Sequence, residues 1–316
     1  MFSTILSNLL TSLLFVALVP MVSAGQDLAD AWPDDCLFVA GNCEVYQSSH
    51  CSSWYDGLEI FAGLDGSKQP QDFGVNAQFG GRIHANWGIP VWEDSGVGFQ
   101  IGTAVSQTDH AVSVTEALEG SSSRTQSFIT AGIFQRSPSG WNMGVVYDHL
   151  YQDDYDVVTL GQVRGILSYE LGTNDELGFV GMLPVMGSDA TWGMTSVNLR
   201  PLGQGRLFWR HWWESGVQTT FWLGGSEPHH QNNAALGSSP ATGEVFVYGA
   251  DFQAPLNNYL ALYGEANFIT PADTGTVDAY LGIAFYPGGG AYRWQRRQAT
   301  ALLPVAGNPS FSVDLR

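Results

Sequence analysis

A strict two-residue alternation runs along the chain from Phe73 to Trp87, with apolar or small residues at one parity and polar residues or glycine at the other. Successive side chains of a strand point to opposite faces, so this segment is apolar on one face and polar on the other. It is longer than the roughly 9–11 residues that a strand needs to cross a bilayer. The pattern returns in Val97–Ser106 and Thr276–Phe285. It predicts an all-β fold, a closed antiparallel transmembrane β-barrel.

The alternating segments define twelve predicted strands joined by two kinds of link. Links from even to odd strands are short, whereas the long links, 110–123, 185–205 and 226–243, all follow odd strands. Outer-membrane barrels have short periplasmic turns and long outer loops, so both termini are predicted to be periplasmic. The link 185–205 contains a short candidate strand, 194–199, and is interpreted as a loop that could add a strand. The predicted strands are residues 54–64, 73–88, 96–107, 124–136, 140–151, 158–171, 176–184, 206–213, 216–225, 244–253, 258–269 and 275–286.

Aromatic residues gather at the predicted periplasmic ends of the strands. Amphipathic rings favour the membrane interface, so a belt at one level is expected of a transmembrane barrel. The competing class, a secreted soluble all-β carbohydrate-binding protein, would need these rings to share one open groove. The predicted belt comprises Trp54, Trp87, Trp92, Trp141, Trp212, Trp213, Tyr259 and Tyr286.

Residues 1–24 have the features of a secretory signal peptide. An apolar run, Leu9–Val22, precedes a small-x-small site that ends at Ala24. A membrane anchor is the alternative, but the run is shorter than the roughly 20 apolar residues of a spanning helix. The signal predicts export of the chain to the cell outer membrane.

The predicted periplasmic segment 25–53 contains Cys36, Cys43 and Cys51. Three close cysteines in an exported chain predict either one disulfide with a leftover thiol or a disulfide to another molecule. The sequence does not determine which cysteines are bonded. A zinc site with His50 does not match a known ligand spacing. No metal and no cofactor are predicted.

The low content of charged residues and the negative net charge indicate which partners the protein can have. Charged residues make up 13% of the chain, against about 25% in typical globular proteins, and the formal net charge is −18. Such an acidic chain is not expected to bind nucleic acid, which requires basic patches. The predicted partners are outer-membrane lipid and small solutes or ions, and the sequence does not determine the oligomeric state.

If the apolar face of each strand meets lipid, the polar face lines the lumen. In the set below, carboxylates outnumber arginines, which predicts a narrow porin-like channel with a weak cation preference. The alternative is a plugged lumen, in a structural or surface-binding barrel that acts through its outer loops. The predicted lumen-lining residues are Glu59, Gln78, Arg82, His84, Gln100, Asp148, Gln162, Arg164, Glu170, Arg206, Arg210, Asp251, Glu265 and Asp278.

The residues contain no recognisable catalytic constellation. Asp148 and His149 are adjacent, so in a strand they point to opposite faces and make poor partners. Neither a Gly-x-Ser-x-Gly elbow nor a His-Glu-x-x-His motif occurs. The acidic run 153–156 and the pair His229–His230 are interpreted as solvated loop residues. The protein is therefore not predicted to be an enzyme.

The barrel domain, 54–287, is predicted to end where Pro287–Gly290 interrupts the alternation. The tail, 288–316, is predicted to add a small strand or to plug the periplasmic mouth.

The segments Thr270–Gly290 and Leu302–Phe311 resemble an uncharacterised family of exported planctomycete outer-membrane β-barrel-like proteins. The resemblance implies an outer-membrane location and no known activity, and it assigns no functional residues.

Overall fold

The computed structural model describes the barrel region and most of the tail. The predicted signal peptide, the segment 25–53 with its three cysteines and the pair His229–His230 lie outside the described residues. Within the described residues, no helix is long and apolar enough to cross a membrane. The described residues are 54–69, 77–92, 95–110, 123–154, 156–192, 195–228, 245–270, 276–292 and 300–315.

Within these residues, twelve strands form one closed antiparallel barrel, and three others form a small separate sheet. The barrel strands are β1 (Leu58–Lys68), β2 (Gln78–Trp92), β3 (Val97–His110), β4 (Ser123–Arg136), β5 (Trp141–Asp153), β6 (Val157–Leu171), β7 (Asp175–Met186), β10 (Gln204–Trp212), β11 (Gln218–Ser226), β12 (Val245–Pro255), β13 (Leu260–Thr270) and β14 (Val277–Phe285). The small sheet contains β8 (Ser188–Trp192), β9 (Thr195–Pro201) and β15 (Val313–Leu315).

Each barrel strand pairs with its neighbours in sequence, except that β7 pairs with β10 and β14 pairs with β1 to close the sheet. The predicted fold class and the number of barrel strands are therefore confirmed. β1 begins at Leu58 rather than at residue 54, because residues 54–57 form a turn in which the Leu58 N–H donates to the Tyr55 carbonyl oxygen.

The barrel strands expose an apolar face and bury the other face. In β4, Gln126 and Thr130 are buried, whereas Ile129 and Ile133 are 47% and 63% exposed. In soluble proteins the buried face of a sheet is instead the apolar one. An apolar outer face is typical of a barrel that is surrounded by lipid.

The two ends of the barrel differ in their connections. At one end, the short-turn end, residues 137–140 join β4 to β5. At the opposite end, the long-loop end, residues 111–122 separate β3 from β4. The link predicted as a loop, 185–205, lies at the long-loop end and forms the β8–β9 hairpin. This hairpin adds no strand to the barrel, because β9 pairs with β15 and β8.

The C-terminal residues 300–315, which we name the plug, pass through the barrel. At the short-turn end, Arg136 donates to the carbonyl oxygens of Thr300 and Ala301. At the long-loop end, β15 pairs with β9. The tail thus contributes β15 to the small sheet, and its residues Leu303, Pro309 and Ser310 are bound to the inner face of the barrel wall. Buried polar groups need hydrogen-bond partners, and the plug backbone supplies them to the barrel wall.

Candidate functional site

The predicted lumen-lining side chains lie on the buried face of the strands. Those that are buried are Gln78, Arg82, His84, Gln100, Asp148, Gln162, Arg164, Arg206 and Asp278. Those that are half-buried are Glu59, Glu170, Arg210, Asp251 and Glu265.

The plug enters the lumen against β2 and β3. The Gln100 side-chain amide donates to the Leu303 carbonyl oxygen at 3.0 Å and accepts from the Leu303 N–H at 3.1 Å and the Leu302 N–H at 3.2 Å. Asn86 donates to the same Leu303 oxygen at 3.0 Å. Two side chains of the wall therefore satisfy the backbone of Leu303.

The middle of the plug binds β2 and β4. Arg82 donates to the Ala306 carbonyl oxygen at 2.9 Å, and the Ala306 N–H donates to the Thr130 hydroxyl at 2.9 Å. The next residue, Gly307, lies close to the same guanidinium, because a Cβ atom there would lie 2.1 Å from Nη1 of Arg82 and would force that side chain to move. The Gln126 and Asn308 side-chain amides exchange two hydrogen bonds, at 3.0 and 3.1 Å.

The outer part of the plug binds β6, β9 and β10. Gln162 donates to the Ser310 carbonyl oxygen at 2.8 Å, and Arg206 donates to that of Pro309 at 2.7 Å. The Leu202 N–H donates to the Ser312 carbonyl oxygen at 2.8 Å, just before β15 pairs with β9. The wall therefore holds the plug along the full height of the barrel.

A buried ion pair supports the centre of the plug. Arg164 binds Asp148 through two nitrogens, and its Nη2 also donates to the Pro304 carbonyl oxygen at 2.8 Å. Thr130 and Gln162 donate to the two carboxylate oxygens of Asp148 at 2.7 and 3.1 Å. These extra hydrogen bonds offset part of the desolvation cost of a buried ion pair.

Apolar contacts between the wall and the plug were missed at the sequence level. Leu302 and Leu303 pack with Phe134, Ile166 and Trp222. A second cluster contains Val305 and Phe311 of the plug, Leu199 of β9 in the small sheet, and the wall residues Ala104, Phe128, Leu150, Val158 and Leu160. The sequence does contain a sign of these contacts. In β4 and β5, apolar residues occur at inward-facing as well as outward-facing positions, as in Phe128–Ile129 and Val145–Val146. A water-filled lumen needs no apolar inner face, whereas a packed lumen does.

Carboxylates and tyrosines occupy the opposite side of the lumen. Glu59 contacts the His84 ring at 3.1 Å and accepts from the Tyr286 hydroxyl at 2.8 Å. Glu265 accepts from the Tyr280 hydroxyl at 2.7 Å. A cavity remains beside the plug, lined by residues of β6, β7 and β10–β13.

The predicted aromatic belt divides between the two faces of the barrel. Two members differ from the prediction: Tyr286 is 4% exposed and binds Glu59, and Trp212 is half-buried with its ring beside Arg210. The two-residue alternation directs both rings inward. Trp87 is half-buried and donates to the Trp54 carbonyl oxygen. The exposed members are Trp54, Trp92, Trp141, Trp213 and Tyr259.

The acidic run 153–156 has a structural contact in its last residue. The Asp156 carboxylate accepts from the Val157 and Thr191 N–H groups, each at 2.8 Å, and so links β6 to the β8–β9 hairpin. Among the described residues, no group of three or more His, Cys, Asp or Glu side chains is arranged to hold a metal ion.

The fold and the lumen define a closed β-barrel with an internal C-terminal plug. The chain belongs to a family of unknown function, DUF6666, whose sequence model matches residues 57–313. This confirms the predicted membership of an uncharacterised family. No curated protein matches the chain.

Several solved barrels have a similar architecture. Outer membrane phospholipase A from Escherichia coli is 9% identical, with a TM-score of 0.41 over 72% of this chain and 95% of that chain. The translocator domain of autotransporter NalP from Neisseria meningitidis is 9% identical, with a TM-score of 0.45 over 73% and 89%. The KdgM porin is 8% identical, with a TM-score of 0.40 over 72% and 98%. These similarities do not extend to individual residues.

Proposed function

We propose that this protein is an exported outer-membrane β-barrel whose lumen is closed by its own C-terminal plug. The observation that carries the proposal is the course of the plug, which is bound to β4 at the short-turn end and to β9 at the long-loop end. A segment held by buried hydrogen bonds at every level leaves little room for solute flow. The barrel then acts as a rigid support for its outer loops and the small sheet.

The membrane location is supported by the outer surface. Large apolar side chains are exposed along the strands, and aromatic rings are exposed at the short-turn end. Lipid is the partner that such a surface fits. Heat-modifiable gel migration and flotation with liposomes are the expected behaviour of the mature chain. A mature chain that is monomeric in buffer without detergent would instead support a secreted, soluble protein.

A porin-like channel is the second candidate, and the cavity beside the plug favours it. If the plug is removed, the predicted lining exposes more carboxylates than arginines. A low-dielectric bore with such a lining concentrates cations. The plug-free barrel should therefore conduct small ions with a weak cation preference.

Planar-bilayer recording compares the two candidates directly. The mature chain should show no stable conductance, and a chain that lacks residues 300–316 should conduct, with reversal potentials that favour cations. Equal conductance of the two chains would show that the plug does not close the lumen. A silent truncated chain that still shows heat-modifiable migration would exclude the channel and leave the supporting barrel.

A further inference from the structure

Three rings follow one another on the outer face of the barrel at the short-turn end of β10. Trp209, His211 and Trp213 are two residues apart, so their side chains project from the same face. Trp209 and Trp213 are 44% and 51% exposed, and His211 is half-buried between them. The centroid of the His211 ring lies 5.8 Å from that of Trp209 and 4.6 Å from that of Trp213. We name these three residues the ring ladder.

Hydrogen bonds to the two neighbouring strands fix the ring ladder. Asp175 of β7 and Thr219 of β11 lie directly opposite His211, one on each side. The Asp175 Oδ1 atom accepts from Trp209 Nε1 at 2.9 Å and from His211 Nδ1 at 2.8 Å. The Thr219 hydroxyl accepts from Trp213 Nε1 at 3.1 Å. Protein acceptors therefore hold all three rings in place, and the orientation of the rings needs no lipid or water.

The carboxylate of Asp175 has one oxygen left for a partner. Both of its hydrogen bonds are made by Oδ1, and within the described part of the chain no group contacts Oδ2. Among the described residues, no lysine or arginine lies within ion-pair distance of Asp175, and its side chain is 36% exposed. The Oδ2 atom is therefore an accessible acceptor beside the ring ladder.

The ring ladder lies at the edge of the apolar outer surface. Trp209 is directly opposite Leu177 of β7 and Phe221 of β11, which are 48% and 53% exposed. Asp175 and Trp213 lie closer to the short-turn end than these two apolar residues. In a membrane, such an apolar surface meets the acyl chains, and the aromatic rings at its edge lie at the level of the headgroups. The Oδ2 atom of Asp175 therefore faces the headgroup region.

The charge of the site indicates which headgroup it fits. A carboxylate at the surface attracts a cation, and the faces of indole rings attract ammonium groups. A headgroup that carries only a phosphate has the same sign of charge as Asp175 and is repelled by it. A headgroup with an ammonium group matches both the carboxylate and the rings.

We propose that Asp175 and the ring ladder bind the ammonium group of a phospholipid headgroup, such as ethanolamine, at the short-turn end of the barrel. The ammonium group donates to Asp175 Oδ2 and contacts the indole rings, while the acyl chains lie along Leu177 and Phe221. The inference rests on the proposed membrane location and adds to it a class of lipid and a binding site.

Native mass spectrometry of the full mature chain in detergent tests the proposal with two lipids. Phosphatidylethanolamine and phosphatidylglycerol, with the same acyl chains, share the phosphate, but only the first carries an ammonium group. In an equimolar mixture, phosphatidylethanolamine should bind about fivefold more tightly, because it adds an exposed charge pair and a cation–π contact. Equal binding of the two lipids, or tighter binding of phosphatidylglycerol, overturns the proposal.

Variants locate the site. Asp175→Asn should lower the preference for phosphatidylethanolamine about threefold, and Trp213→Leu, which keeps an apolar side chain, about twofold. The matched control is Asp189→Asn, because Asp189 is exposed on the small sheet at the opposite end and contacts Asn198. It removes the same charge and should keep the full preference. Heat-modifiable migration of each variant reports folding, and an unchanged preference in folded Asp175→Asn overturns the site.

Flotation separates this inference from the proposed membrane location. Liposomes of phosphatidylglycerol alone lack the ammonium group, so flotation with them reports insertion without the site. A chain that floats with these liposomes but shows no preference between the two lipids overturns the headgroup site and leaves the membrane location in place. A chain that floats with neither lipid overturns both.

Discussion

The side chain of Gln100 binds Leu303 as a neighbouring strand would, with its amide nitrogen 3.0 Å from the Leu303 carbonyl oxygen and its amide oxygen 3.1 Å from the Leu303 nitrogen. The two residues are separated by 203 positions. A barrel interior has no free strand edge, because closure pairs every strand. Side-chain amides of the wall therefore take the place of a strand in holding the plug.

The first prediction concerns this contact. Gln100→Leu leaves the buried Leu303 N–H without its acceptor, which costs about 1–3 kcal/mol. Amide exchange at Leu303, measured by mass spectrometry in detergent, should accelerate about tenfold or more. Gln107→Leu is the matched control, because Gln107 is exposed on the same strand. Equal protection of Leu303 in the two variants would contradict the role of Gln100.

The second prediction concerns a close approach between the wall and the plug. A Cβ atom on Gly102 would lie 2.5 Å from Cγ2 of Val305. Gly102→Ala should therefore loosen the plug, at a cost of about 1–3 kcal/mol, and raise conductance in planar bilayers. Gly165→Ala is the control, because its nearest atom, the Gly144 oxygen, is 3.8 Å away.

A compensating change sharpens this second experiment. Adding Val305→Ala removes the methyl group that Gly102→Ala would strike. The double variant should therefore conduct less than Gly102→Ala alone. Conductance in the double variant that equals or exceeds that of the single variant would exclude a steric cause.

The third prediction concerns the buried ion pair. Arg164→Met leaves the Asp148 carboxylate buried without its cation, and the free energy of unfolding should fall by about 3–5 kcal/mol. Arg200→Met removes a half-exposed contact of 3.6 Å with Glu227 and should cost about 0–1 kcal/mol. Urea titrations in detergent measure both values. Similar losses in the two variants would argue against a fully desolvated Arg164–Asp148 pair.

The fourth prediction tests lipid contact. Ile129 lies near the middle of β4 and is 47% exposed on the outer face. Ile129→Arg should destabilise the barrel in liposomes by about 2–4 kcal/mol, the cost of an arginine that faces the bilayer midplane. Glu214→Arg, in the exposed turn between β10 and β11, should have little effect. If Ile129→Arg left the stability of the barrel in liposomes unchanged, this surface would face water rather than lipid.

The two-residue alternation of polar and apolar residues was sufficient to predict the barrel, because it depends only on the local sequence of each strand. A period of two assigns residues such as Arg82 and Ile83 to opposite faces whatever their partners, and the alternation of short and long links orders the hairpins. The class of fold and the number of barrel strands followed from these features. Trp212 and Tyr286 lie at the short-turn end, as predicted for the belt, but both stand at positions of the two-residue alternation that face the lumen. Their rings therefore point inward.

Only the tertiary structure decided what fills the lumen. Residues 300–312 have no periodic pattern that identifies a partner, and the contacts of Leu303 and Ala306 come from strands about 200 residues earlier in the chain. A polar inner face is equally compatible with water and with a peptide backbone, since both donate and accept hydrogen bonds. The choice depends on a segment whose hydrogen bonds and apolar side chains match the wall in three dimensions, and that match has no local signature in the sequence.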